Sequence, residues 1–248
     1  MKSKYLPNPK QDPRLCAGLE SLFYGQKSAK RFSLEEFYAI ASGDGLPTGN
    51  LVYEVDGGMP LILNDYAETH FLDLITRSGF ASSVRGQTKA IPYTKPWATN
   101  PGPYYPDFIF RTYDGRIAFV EIKSILGMAQ DENIVKMEAL FSYCQHSGFL
   151  SAYIDQDFLS FQDYLEPIEE SPLTRFFVST VGAIGGFTQQ DLLRMEKTFP
   201  KMERKELYRL VSRLILQDPY LSNRYCHDDP RLINAVKLPS PLPYKAFR

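Results

Sequence analysis

The chain has 248 residues, of which 44% are hydrophobic, 14% aromatic and 23% charged, with a formal net charge of −1. That length allows one large domain or two ordinary ones, and that apolar content excludes a disordered chain. Near-neutral bulk charge argues for no partner, so only the distribution of charge is informative.

The N-terminus, Met1-Lys2-Ser3-Lys4-Tyr5-Leu6-Pro7, lacks the apolar core of a signal peptide, and no run is long and apolar enough to span a bilayer. Cys16, Cys144 and Cys226 are odd in number, widely spaced and form no Cys-x-x-Cys pair. Zinc ribbons and redox motifs are therefore unsupported, and the expectation is a soluble cytoplasmic protein in a reducing compartment.

Residues 1–50 read as an N-terminal extension with helical content. Ser33-Leu34-Glu35-Glu36 has the spacing of a capping box and predicts a helix to about Ala41. Residues 51–55 predict a short strand ending at Asp56-Gly57-Gly58. Asp65 to Ser78 predicts a helix from the spacing of Ala67, Phe71, Leu74 and Ile75, closed by Gly79. Residues 84–93 predict a strand, and 94–106 a loop rich in proline and aromatics. Residues 107–123 predict a hairpin around Asp114-Gly115, 128–147 an amphipathic helix, and 149–154 a further strand. A helix joining two strands of one sheet implies a right-handed crossover and a mixed-sheet α/β core. Beyond a linker at 166–172, residues 173–181, 188–198 and 203–216 predict helices only.

Charge is uneven along this order. Residues 74–106 hold Arg77, Arg85, Lys89 and Lys95 and no acid, while residues 124–170 hold nine acids against the single base Lys136. Residues 186–248 hold twelve basic residues against seven acids, which suits either a phosphate backbone or a solvated helical surface.

The hairpin carries the chemistry. Pro106-Asp107 opens one apolar run, and Glu121-Ile122-Lys123 closes the next. A second Glu-x-Lys triplet, Glu203-Arg204-Lys205, begins a predicted helix, so the triplet alone carries no weight. Context lifts the first copy. Ile117 to Val120 is apolar enough for a central strand, and charges at its end are costly unless paired or metal-bound. A structural ion pair near a sheet edge is the competing reading. Register decides whether the acids meet. A two-residue Asp-Gly turn places Asp107 and Glu121 on opposite faces. A three-residue loop, Tyr113-Asp114-Gly115, pairs Thr112 with Arg116 and Asp107 with Glu121, with Gly115 left-handed. Glu68 also has two readings. It stands at the third helical position of a capping box, and it shares the apolar face of Leu72 and Ile75.

The order of these motifs resembles the PD-(D/E)xK nuclease superfamily, and within it the TnsA-type endonuclease subunits of heteromeric transposases. The matching residues are Glu68-Thr69-His70-Phe71, Val84-Arg85-Gly86-Gln87, Tyr105-Pro106-Asp107-Phe108 and Glu121-Ile122-Lys123, followed by the helix around Lys136. The resemblance covers roughly residues 60–157. It implies a restriction-endonuclease-like mixed sheet flanked by helices over residues 51–165, followed at 166–248 by a mainly helical, winged-helix-like domain. It implies Mg²⁺-dependent DNA hydrolysis, with Mn²⁺ able to substitute. Asp107, Glu121 and the Ile122 carbonyl would hold the metal, Glu68 a second metal or its waters, and Lys123 the attacking water. DNA is the implied substrate, with an integrase-type transposase subunit and an ATPase regulator as partners. A stand-alone nuclease of phage, defence or repair type and a non-catalytic DNA-binding module are the alternatives. Arg77, Arg85, Gln87, Lys89 and Lys95 are candidate DNA contacts. Tyr93, Trp97, Tyr104 and Tyr105 suit either base stacking or packing over a sheet edge.

Overall fold

The computed structural model describes residues 11–23, 26, 30–43, 51–53, 61–63, 66–87, 89–95, 98–184 and 189–217, with backbone alone at 51–53, 61–63, 182–184 and 189. The expectations at Asp56 to Gly58, Asp65, Trp97, Thr188, Cys226 and the proline-rich tail lie outside these residues. In chain order the elements are α1 Pro13–Ser21, α2 Leu34–Ala41, β1 Leu51–Tyr53, β2 Leu61–Leu63, α3 Tyr66–Ser78, β3 Ala81–Gly86, β4 Ile91–Tyr93, β5 Gly102–Tyr104, β6 Phe108–Thr112 and β7 Ile117–Lys123. A 3-10 turn at Leu126–Ala129 precedes α4 Asp131–Ser147, then come β8 Leu150–Asp155, α5 Phe161–Tyr164, α6 Pro172–Ile184, α7 Gln189–Thr198 and α8 Arg204–Gln217. This is a mixed α/β protein. The four-stranded sheet has the order β3-β6-β7-β8, and β1-β2 and β4-β5 form separate two-stranded ribbons.

The chain divides into two compact units. One comprises Met1–Thr94, Asn100–Ile122 and Lys136–Ser160; the other comprises Lys95–Thr99, Lys123–Val135 and Phe161–Arg248. In the first, alternation along the strands builds two apolar faces. Phe108 and Phe110, Ala118, Val120 and Ile122, and Leu150, Ala152 and Ile154 share a core with Phe71, Leu72 and Ile75 of α3 and with Leu19 of α1. On the other face Phe119 stacks on Phe149 at 5.4 Å and meets Tyr143 edge-on at 5.6 Å, while Phe149 also meets Phe32 at 5.3 Å. The N-terminal helices are therefore part of this core. Asp12 caps α1 by accepting from the Arg14 amide at 2.9 Å, and its own amide donates to the Ser78 carbonyl at 3.1 Å. The capping box at Ser33 forms as the spacing predicts, with Glu36 Oε2 2.6 Å from the Ser33 amide.

The predicted strand at 84–93 is two strands. Gln87, at φ +43°, turns the backbone left-handed after β3. The chain then enters β4, which pairs with β5 inside the predicted loop, with Pro92 opposite Pro103. Prolines opposite one another fit only at a rung whose N–H positions point away from the partner strand.

The hairpin has the three-residue loop. Phe108 pairs Val120, Phe110 pairs Ala118 and Arg111 pairs Ile117, and the Thr112 amide donates to the Arg116 carbonyl at 2.9 Å. Gly115 sits at φ +89°. The turn is held from outside. Asp114 accepts from Arg116 Nε at 2.8 Å and from Arg31 at 3.3 Å, and Arg116 reaches Glu20 of α1 at 2.8 Å. In the second unit the described elements are helical. Ser212 of α8 donates to the Ile125 carbonyl at 2.8 Å, and Phe176 of α6 meets Phe199 edge-on at 6.1 Å.

Gly115→Ala should cost about 1–3 kcal/mol in urea unfolding. An L residue is strained at that φ, and its Cβ would stand 3.4 Å from the Phe32 carbonyl. A second test uses Asp114. Burial alone would raise its carboxyl, but hydrogen bonds from Thr112 and Arg116 and the charges of Arg116 and Arg31 outweigh it and hold it below 3.8. A carboxyl depressed by folding stabilises above its unfolded value and loses that contribution as pH falls through the folded one. The stability advantage of the wild type over Asp114→Asn should therefore be full at neutral pH and be lost as pH falls through the depressed folded value of the carboxyl, as read by thermal unfolding across pH.

Candidate functional site

The loop register continues one step past the paired residues and sets Asp107 opposite Glu121 at the open end of the hairpin. Opposite residues in an antiparallel pair project from the same face, with Cβ atoms about 5 Å apart. Backbone amides fix both side chains reciprocally. The Asp107 amide donates to Glu121 Oε2 at 3.1 Å, and the Ile122 amide donates to Asp107 Oδ2 at 2.8 Å. Both residues are buried, Asp107 at 7% exposure and Glu121 at 2%. On the other side of β6 the Gln87 amide donates to the Asp107 carbonyl at 3.2 Å, so Gln87, Asp107 and Glu121 occupy one row across three strands. Lys123 ends β7 two residues after Glu121 and is half-buried on the same strand face.

Two carboxylates this close repel each other in a poorly solvated setting, and a bound cation or a proton offsets that repulsion. Their oxygen donors suit a hard ion. Mg²⁺ commonly takes one or two carboxylates and completes its shell with water and phosphate oxygens, so a pair is a sufficient protein contribution.

Tyr104 of β5 adds a polar group that the sequence presents only as one aromatic among four. It is 4% exposed. Burial first, and then the charge of Glu121 with Tyr153 and Asp107 behind it, push its phenol well above the ordinary range, which keeps it a protonated donor. Its ring meets Tyr93 edge-on at 6.0 Å, and Lys136 Nζ stands 5.5 Å from the Tyr93 ring centre and 6.0 Å from that of Tyr104. The signal for Lys136 was its place as the sole base within an acidic stretch.

Other predicted residues lie on separate elements. Glu68 is buried on α3, whose apolar side covers the sheet face opposite the carboxylate pair. Among the described residues no group of three or more His, Cys, Asp or Glu could hold a metal ion. Arg77 is bound to Asp73 within α3, through Nε at 2.8 Å. Arg85 lies 5.1 Å over the Tyr38 ring, and Lys95 meets Glu132 at 3.7 Å. Lys89 is half-buried between β3 and β4. Tyr93 and Tyr104 are buried, which leaves neither ring open to stack on a base, while Tyr105 is half-buried. His70 packs on Phe158 at 5.0 Å, and His146 bonds the Ser142 carbonyl at 2.7 Å. Burial raises the Cys144 thiol, which is inert packing rather than a nucleophile.

Compared with known proteins, the chain matches no family model, no curated protein and no solved structure. Among the described residues no helix is long and apolar enough to cross a membrane.

In metal-free buffer Asp107→Asn, which keeps an acceptor for the Ile122 amide, should raise the thermal midpoint by about 2–4 °C by relieving the repulsion. A fall of that size would instead mark Asp107 as half of a structural ion pair.

Proposed function

We propose that this chain is a divalent-metal-dependent endodeoxyribonuclease of the PD-(D/E)xK kind. The observation that carries the reading is the register of the hairpin, which sets Asp107 opposite Glu121 with Lys123 following on the same strand. The buried carboxylate pair fits a hard cation by donor type and by number. Such an ion, when bound, would polarise the scissile phosphate and lower the pKa of a coordinated water.

The chain's own residues do the rest. Asp107 and Glu121 would hold the ion, and the Ile122 amide fixes the Asp107 carboxyl through its 2.8 Å bond to Oδ2. Lys123 orients the attacking water and offsets negative charge gathering on the phosphate. Gln87, in the same row, is placed to bond a water or a phosphate oxygen. Metal binding falls to the carboxylate pair in this reading, and Glu68 is not needed for it. Within it, the TnsA-like role, cutting transposon ends beside an integrase-type transposase, supplies a partner that chooses the target.

Purified protein with Mn²⁺ or Mg²⁺ should nick or cut duplex DNA, alone or with that partner. Asp107→Ala and Lys123→Ala should each lower the rate at least about 100-fold with unchanged circular dichroism. Undiminished cleavage by Asp107→Ala would remove the pair from the chemistry. Cleavage that needs no divalent ion would remove the metal.

A further inference from the structure

Resting on that reading, we propose that Tyr104 is the positioning residue of the carboxylate pair: its hydroxyl holds Glu121 in the orientation that faces Asp107. The argument begins with the ring. It is fixed edge-on by Tyr93 and flanked by the Lys136 ammonium, so the hydroxyl has one place to be. That place is enclosed. Among the described residues no atom meets Tyr104 Oη at standard hydrogen-bonding geometry, yet Glu121 is its foremost charged neighbour.

A buried hydroxyl that only filled space would be better replaced by phenylalanine, because an unmade hydrogen bond is costly in the interior. Beside an anionic ligand the same hydroxyl is a donor. A small rotation of the Glu121 carboxyl would align the two, and Glu121 so held would be the ligand presented to an ion. Glu121 is then held by the Asp107 amide from the neighbouring strand and by Tyr104 from the separate β4-β5 ribbon. Groups that hold a ligand in this way commonly set metal affinity. Lys136 acts one step further out, by fixing the ring.

The test titrates Mn²⁺ into the full chain and counts free ion by electron paramagnetic resonance, with wild type, Tyr104→Phe and Asp107→Asn compared. Tyr104→Phe keeps the ring and its packing. It should weaken Mn²⁺ binding about 10- to 100-fold. Its metal-free melting temperature should match or exceed that of wild type, and raised Mn²⁺ should restore its cleavage. Wild-type affinity in Tyr104→Phe, with binding lost in Asp107→Asn, would overturn the role of Tyr104 and leave the proposed metal site standing. Equal binding by all three, or none by wild type, would overturn both. Should Tyr104→Phe fail to fold, Lys136→Met serves. It should weaken Mn²⁺ binding several-fold by loosening the ring, and unchanged affinity would count against the proposal.

Discussion

The handedness of one residue governs this molecule. With Gly115 at φ +89°, the hairpin closes through three residues, and that closure sets every pairing down to the open end. Hydrophobicity could not have set that register. β7 is buried from Ile117 through Ile122, and β6 is nearly as apolar on both sides. A slip by one residue would exchange one greasy face for another. The turn breaks the tie: a tight type I′ turn would need Asp114 as well as Gly115 left-handed, but here Gly115 has positive φ and Asp114 does not, which fits the bulged loop.

The hairpin is clamped at both ends by different means. At the turn, Glu20, Arg116, Asp114 and Arg31 form a chain of ion pairs that are partly exposed. Each such pair contributes little energy, but together they fix geometry. At the open end, two buried acids accept amide protons from each other's strands. The turn end supports the fold with charges of both signs. The open end brings two buried carboxylates together with the half-buried Lys123 at the end of the same strand, a grouping of charge that an ordinary core avoids.

Much of this was legible in the sequence because local rules sufficed. Ser33 with Glu36 specifies a helix start, whereas Asp114-Gly115 allows a two- or a three-residue turn, and the fold selects the second. The strand expected over 84–93 failed because apolar run length says nothing of backbone handedness, and Gln87 takes a conformation that glycine or asparagine usually marks. Residues 102–104 read as loop because Pro103 lacks an amide proton, yet paired with Pro92 it loses nothing across the rung. The α4 helix begins at Asp131 rather than at 128, since Leu126–Ala129 winds as a 3-10 turn first. Of the DNA contacts expected at Arg77, Arg85 and Lys95, Arg77 bonds Asp73, Lys95 meets Glu132 and Arg85 lies over the Tyr38 ring. Composition counts charges and cannot see such pairings. Tyr104 was named from sequence, but only the fold brings it beside Glu121, seventeen positions away.

The facing prolines of the β4-β5 ribbon have a consequence for the behaviour of the protein at high concentration. With their rung turned outward, both flanks of the ribbon lose a donor at the same level. A strand from another molecule laid along either flank would meet a bare ring where its carbonyl needs a proton. The ribbon beside the candidate centre is thus a poor template for fibrils and runaway self-association.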